Sequence, residues 1–146
     1  MIDLVSVRPT TPGDPDWRTF CDLLALAGLP QPGDGGRSFA VEDERGLLGF
    51  GALEESGPDR LLRSVVLVPS LRRRGLGSVL VSRLVGHARV DGAARLWLLT
   101  TGAERWFARL GWATVPRDRA PEAIRQLGRF REVCPASAAL MVRALG

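Results

Sequence analysis

One stretch near the middle of the chain constrains it most. Leu61 to Val68 is the most β-rich run in the sequence, and Pro69 ends it. Arg72-Arg73-Arg74-Gly75-Leu76-Gly77-Ser78 follows, and then Leu76, Val79, Leu80, Leu84 and Ala88 recur at helical spacing. A strand that feeds a helix through a glycine turn is the repeating unit of α/β folds. Two glycines at a helix start let backbone approach a ligand closely, and the first-turn N–H groups there have no partner within the helix. With the helix dipole and the arginines, this makes a site for a pyrophosphate. A dinucleotide-binding fingerprint would need a third glycine at position 80, which is Leu80. A plain structural loop with a basic surface fits the same residues.

Composition removes several classes. All 20 basic residues are arginine, and a P-loop nucleotide hydrolase needs a lysine. The 146 residues, 45% hydrophobic, suit a single domain over 1–146. No apolar run is long enough to span a bilayer. Met1-Ile2-Asp3-Leu4 lacks the basic start of a secretory signal, and two cysteines, Cys21 and Cys134, are too few for a disulfide framework or a thiolate zinc site. A cytoplasmic protein without a metal is the expectation. Charge is uneven: residues 1–59 carry four arginines against eleven acidic residues, and residues 60–146 carry sixteen against five. A basic half suits an anionic partner such as nucleic acid, a membrane or a phosphorylated cofactor.

Along the chain, Leu4 to Arg8 reads as a strand broken by Pro9 and Pro12. Asp14 or Asp16 can cap a helix through Trp17, Phe20, Leu23, Leu24 and Ala27, which Gly28 and Pro30 stop. Residues 31–37 read as a loop. Ser38–Glu42 and Leu47–Glu54 read as a hairpin joined through Glu44-Arg45-Gly46, and Ser56 to Asp59 as a second turn before Leu61–Val68. The helix after the glycines ends near Gly92. Leu96–Thr101 reads as a buried strand, Ala103–Leu110 as a short helix closed by Gly111, and Trp112–Val115 as a strand. Pro121–Phe130 reads as a helix and Ala138–Val142 as a last strand. The order predicts a mixed α/β sheet with a parallel segment near its middle.

The Arg72-to-Ser78 loop after its strand resembles the signature of the GNAT N-acetyltransferase superfamily. So does Ala103-Glu104-Arg105-Trp106-Phe107-Ala108-Arg109-Leu110-Gly111-Trp112. More narrowly, Leu62-Arg63-Ser64, Arg72 to Gly77, Leu98-Leu99-Thr100-Thr101, Trp106 to Gly111 and Cys134-Pro135-Ala136-Ser137-Ala138 resemble the arsenic-resistance N-acetyltransferase family. The Leu-Thr-Thr run and the helix after it are also similar to the acetyltransferase domain of bacterial N-acetylglutamate synthases. The resemblance implies a mostly antiparallel sheet of six to seven strands, flanked by helices, with a central splayed parallel pair. It implies acetyl-CoA as donor and direct transfer to a small, amino-acid-like amine in a ternary complex, linked to arsenic resistance. Neither nucleic acid nor membrane is an implied partner, and a homodimer is compatible with it.

For residues, the resemblance implies that the backbone of Val66, Leu67 and Val68 pairs with the pantetheine amides. The amides of Arg73, Arg74, Gly75, Leu76, Gly77 and Ser78 would cradle the pyrophosphate. The N–H of Val66 or Val68 would supply an oxyanion donor. Glu54 is the candidate base. Two-residue alternation puts it on the face of Leu48, Phe50 and Ala52, and a solvated turn residue is the competing reading. Arg63 is the candidate for a substrate carboxylate, ahead of Arg105. Thr100, Thr101 and Trp106 are further substrate-side candidates, although the two hydroxyls could instead cap the next helix.

Many superfamily members carry a tyrosine where Phe107 stands here, and this chain has no Tyr at all. Phe cannot donate a proton to the leaving thiolate, which leaves water, a hydroxyl such as Thr100 or Thr101, or no acid at all. His87 and Cys134 read as structural. Two other functions remain open on these residues: a non-catalytic acyl-CoA-binding sensor, and an acetyltransferase acting on a protein amine. Nucleic-acid binding lacks interleaved aromatics or a recognised motif.

Overall fold

From Arg37 to Leu67 apolar residues crowd both sides of the chain, and they fold as three consecutive antiparallel strands. The computed structural model describes residues 6–33, 36–71, 75–127, 130 and 138–145. Their strands are β1 (Ser6–Thr10), β2 (Arg37–Asp43), β3 (Gly46–Ser56), β4 (Asp59–Leu67), β5 (Arg95–Thr100), β6 (Ala113–Val115) and β7 (Ala139–Ala144). The helices are α1 (Trp17–Leu26), α2 (Leu76–Val90), α3 (Glu104–Arg109) and α4 (Glu122–Arg125). Together the strands form one seven-stranded sheet in the order β1-β2-β3-β4-β5-β7-β6. Every neighbouring pair is antiparallel except β4 with β5. The expected mixed, mostly antiparallel sheet with one central parallel pair is the observed one.

Helices cover both faces. Leu80, Val81, Leu84, Val85 and Ala88 of α2 pack on Phe39, Val41, Leu53, Leu62, Leu96, Leu98 and Met141. On the opposite face, Phe20, Leu23 and Leu24 of α1 pack on Ala40, Phe50 and Val66. Farther along that face, Ile124 of α4 packs with Leu61, Trp97 and Leu140. Phe20 and Phe50 stack with centroids 4.7 Å apart and are fully buried. Each such aromatic contributes about 2 kcal/mol of burial.

Four local readings need correction. Pro9 does not break β1, because β1 pairs only with β2 and a proline is tolerated on an edge strand. Asp16 occupies the N-cap of α1, but its carboxylate pairs with Arg8 and makes no cap hydrogen bond. Of the helix expected over Pro121–Phe130, Glu122–Arg125 and Phe130 are helical, Gln126 and Leu127 form a turn and a bend, and residues 128 and 129 lie outside the described residues. Leu48 does not share a face with Phe50. The register runs Val41↔Gly49 and then Glu42↔Leu47, so Leu48 is an extra residue, and it joins the α2-side cluster. Leu4 and Val5 lie outside the described residues.

Candidate functional site

The parallel pair is short. β4 and β5 are in register only at Asp59↔Arg95, Arg60↔Leu96 and Leu61↔Trp97. Beyond Leu61, β5 pairs with β7 alone, up to Thr100↔Ala139, and β4 pairs with β3 alone, up to Gly49↔Leu67. The facing edges of the two strands therefore diverge. A bulge sharpens this. Phe50 faces Val66 but Ala52 faces Arg63, so β4 carries one extra residue there. Among the described residues, Ser64, at φ +57, is the non-glycine residue that takes the left-handed conformation.

The bulge decides which backbone groups face the gap. Val68 N–H donates to Leu48 O at 2.8 Å, so it is turned into the sheet. Val66, two residues back in the same ladder, is turned the same way. A side chain on Gly49 would run into Val66 O, which places that carbonyl over β3. Neither N–H expected to hold an oxyanion therefore faces the gap. Leu67, between them, presents its backbone to the unpaired edge.

Farther on, α2 begins at Gly75, which takes φ +71 as N-cap and makes no side-chain cap. Ser78 Oγ donates to Gly75 O at 2.9 Å. No acidic residue occupies the first turn of this 15-residue helix, so the helix brings no carboxylate of its own to its N-terminal dipole. The half-buried Leu76, Gly77 and Ser78 and the Cβ-free Gly75 fit a phosphate group. Arg72, Arg73 and Arg74 lie outside the described residues.

Glu54 is buried at 4% exposure, two residues before the end of β3, so the solvated-turn reading is wrong. It faces Leu61, the last residue of the parallel register. Glu54 Oε1 lies 3.3 Å from Arg63 Nε, with side-chain exposures of 6% and 11%. Glu54 Oε2 is buried and has no hydrogen-bond partner among the described residues. Arg63 also donates from Nη1 to Ser64 Oγ at 3.2 Å. The pair sits on the α1 side, between the Phe20–Phe50–Val66 cluster and the Leu61–Trp97–Ile124 cluster. Gly36, at φ +87, lies directly on it: a Cβ there would stand 2.6 Å from Glu54 Cγ. Sequence reasoning did not single out Gly36. Its only signal is the Gly35-Gly36 pair ahead of a strand.

The remaining candidates divide. Arg105 is exposed, whereas Arg63 is nearly enclosed. Thr100 follows Leu96 and Leu98 in alternation, so it points to the α2 side, away from the Glu54–Arg63 pair. Thr101 is exposed in the bend beyond β5. Neither hydroxyl caps α3, whose N-cap is Ala103. Trp106 lies against the start of α2, where a Cβ on Gly77 would stand 3.2 Å from its Cζ2. It therefore stands beside the glycine loop rather than with Glu54 and Arg63. Phe107 is pinned edge-on between Trp106 and Trp112. His87 packs on Phe39, 4.6 Å between centroids, as a structural residue. Cys21 is a half-buried free thiol, and Cys134 lies outside the described residues. Among the described residues no group of three or more His, Cys, Asp or Glu could hold a metal. No described helix is long and apolar enough to cross a membrane.

Comparison with known proteins bears on the family and the fold. The family described as acetyltransferase (GNAT) domain matches residues 34–114. The amino-acid acetyltransferase of Escherichia coli (strain K12) is 33% identical over 67 residues, 46% of this chain. The matched part is 15% of that relative, so the chain spans a small fraction of the curated proteins it matches. The N-acetylglutamate synthase of Neisseria gonorrhoeae, solved with coenzyme A and N-acetyl-glutamate, superposes with TM-score 0.76 at 23% identity, covering 100% of this chain and 36% of that one. Rv2747 of Mycobacterium tuberculosis, solved in complex with CoA, gives TM-score 0.70 at 19% identity, covering 97% and 99%. At these identities the structures share the fold.

Proposed function

This chain belongs to the GNAT acetyltransferase domain family, and from that premise we propose that it is an acetyl-CoA-dependent N-acetyltransferase for a small, amino-acid-like amine. The observation that carries the reading is the buried Glu54–Arg63 pair at the level where β4 and β5 part. A carboxylate enclosed with one idle oxygen can take a proton from an ammonium. An enclosed guanidinium suits a substrate carboxylate. Acetyl-CoA would supply the acetyl group, with its pyrophosphate on Gly75, Leu76, Gly77 and Ser78, and with Arg73 and Arg74 adding charge. Val66, Leu67 and Val68 would line its pantetheine, Leu67 making the backbone pairing. Transfer would be direct, in a ternary complex. Phe107 cannot act as the acid, so the leaving thiolate would take its proton from water or from the amine itself. A coenzyme A thiol leaves near its own pKa without help.

Similarity to amino-acid acetyltransferase over 67 residues supports an amino-acid acceptor. The arsenic-resistance resemblance extends that class to arsenic-bearing analogues. We assign Thr101 to the rim of the acceptor site and Trp106 to the cofactor side. We further place the whole chain, 1–146, in one cytoplasmic acetyltransferase domain with acetyl-CoA and the amine as its partners, and with self-association as a homodimer open to it.

A thiol-release assay tests this. Acetyl-CoA is offered with amino acids, arsenic- and phosphorus-containing amino-acid analogues, and polyamines. Release above background hydrolysis with an amino acid or analogue is the expected result. Acetyl-CoA binding without release across the panel would leave an acyl-CoA sensor and end the transferase reading.

A further inference from the structure

We propose that the Glu54–Arg63 ion pair is a neutral lock that a zwitterion opens, so that the α-carboxylate of the acceptor is required to turn over its own amine; this rests on the acetyltransferase reading above. The lock has two observed halves. Arg63 Nε sits 3.3 Å from Glu54 Oε1, so the carboxylate spends one oxygen on an internal cation. Glu54 Oε2 is buried with no hydrogen-bond partner among the described residues. An idle buried carboxylate oxygen is costly, and a bound ligand is one way such a group is completed.

Charge decides which ligand fits. The pair is net neutral and enclosed between two apolar clusters. A simple amine arrives as a cation and would leave the enclosed site with two positive groups and one negative, an uncompensated charge in low dielectric. A dicarboxylate without an amine makes the opposite error. An α-amino acid adds one charge of each sign. Its carboxylate can take Arg63, and its ammonium can take Glu54, including the idle Oε2. The four charges then alternate, and the substrate adds no net charge to the pair. Arg63 can swing toward the gap because it lies on the part of β4 that β5 no longer covers. Gly36 lies against Glu54, where a Cβ would stand 2.6 Å from its Cγ.

The chemistry follows. With Arg63 engaged by the substrate, Glu54 accepts one proton from the ammonium. The freed nitrogen lone pair forms the C–N bond to the acetyl carbon, and the C–S bond breaks with its electron pair going to sulfur. The second N–H proton passes to the thiolate, and Glu54 returns its proton to water. Without a substrate carboxylate Arg63 stays on Glu54, and the first proton transfer is the step that suffers. Arg63 is thus a positioning residue whose signature lies in kcat and not only in KM.

The test compares an accepted amino acid with its α-amide and its decarboxylated amine, at saturating acetyl-CoA, with kcat and KM separated. Removing the carboxylate should lower kcat about 100-fold, the scale of leaving one member of a buried charge pair unmatched. In Arg63→Gln and Arg63→Met that kcat ratio should fall to within about 5-fold, because no guanidinium is left to hold Glu54. The wild-type series alone decides the matter should either variant fail to fold. A carboxylate dependence confined to KM in the wild-type protein overturns the lock while leaving the transferase reading intact. No thiol release with any amine overturns the transferase reading itself, and the lock with it.

Discussion

Two buried carboxylates mark the two ends of the same short parallel pair, and they are treated oppositely. Asp59 and Glu54 are each 4% exposed. At the closed end, Asp59 Oδ1 accepts from Arg95 Nε and Trp97 Nε1, both at 2.8 Å, and Oδ2 accepts from Arg95 Nη2 at 3.2 Å. Next to it Arg60 donates to Gly57 O, Asp59 O and Asp91 O. At the open end, Glu54 has one cation and one idle oxygen. Saturated hydrogen bonding is what a joint needs, because every donor there resists separation. A half-saturated carboxylate is what the proposed acceptor site needs, because a ligand would complete it. The parallel pair is pinned at Asp59 and opens past Leu61.

Substitutions at the two ends should therefore separate activity from stability. The largest effect is expected for Glu54→Gln, which keeps the shape and removes the proton acceptor. kcat should fall about 1,000-fold, the middle of the range for a positioned base, while folded protein is still recovered. Steady-state kinetics on the purified variant checks this. A loss under 10-fold would move deprotonation to water and end the base assignment.

Asp59→Ala should do the reverse. It strands the Trp97 indole N–H in a buried site and removes the partner of Arg95. The expected cost is about 3 kcal/mol in urea unfolding, with kcat of the folded fraction little changed. Asp59→Asn should cost less, since an amide oxygen still accepts from Trp97. If Asp59→Ala depresses kcat as far as Glu54→Gln does, the two ends are not independent and the contrast fails.

Gly36→Ala comes next, and it touches the open end from outside. Its φ of +87 disfavours any side chain, and the new Cβ would meet Glu54 Cγ at 2.6 Å and Leu53 O at 2.8 Å. The expected stability cost is about 1–2 kcal/mol. Because the Cβ pushes on Glu54 itself, kcat should fall as well, which a purely structural glycine would not produce. Equal stability loss with unchanged kcat would free Gly36 from any part in holding the base.

How much of this was legible beforehand depends on register. The element order, the glycine turn into α2 and the placement of Glu54 late in β3 follow from periodicity and turn residues, which are local. Faces are not local once a strand bulges. The extra residue at Leu48 sends it to the α2 side, and the extra residue near Ser64 sets Arg63 opposite Ala52, within reach of Glu54. Alternation read along one strand cannot see either event. The side of Thr100 is local, since it follows Leu96 and Leu98 in alternation, whereas the neighbour of Trp106, Gly77, is distant in sequence. The Asp59–Trp97 bond joins residues 38 apart and left no trace in either local pattern.

The smallest effect should come from the outer shell of the closed end. Arg37 pairs with Glu55 and, at 3.4 Å, with Asp91, beside the buried Arg60 that contacts the same two acids. Its side chain is 56% exposed, so water screens most of what it gains. Arg37→Ala should lower stability by no more than about 0.5 kcal/mol and leave kcat unchanged. Arg60, at 8% exposure, donates to three carbonyls and has no such shield. A loss at Arg37 as large as that at Asp59 would mean that the surface charges, and not the buried carboxylate with its indole and guanidinium donors, hold the closed end together.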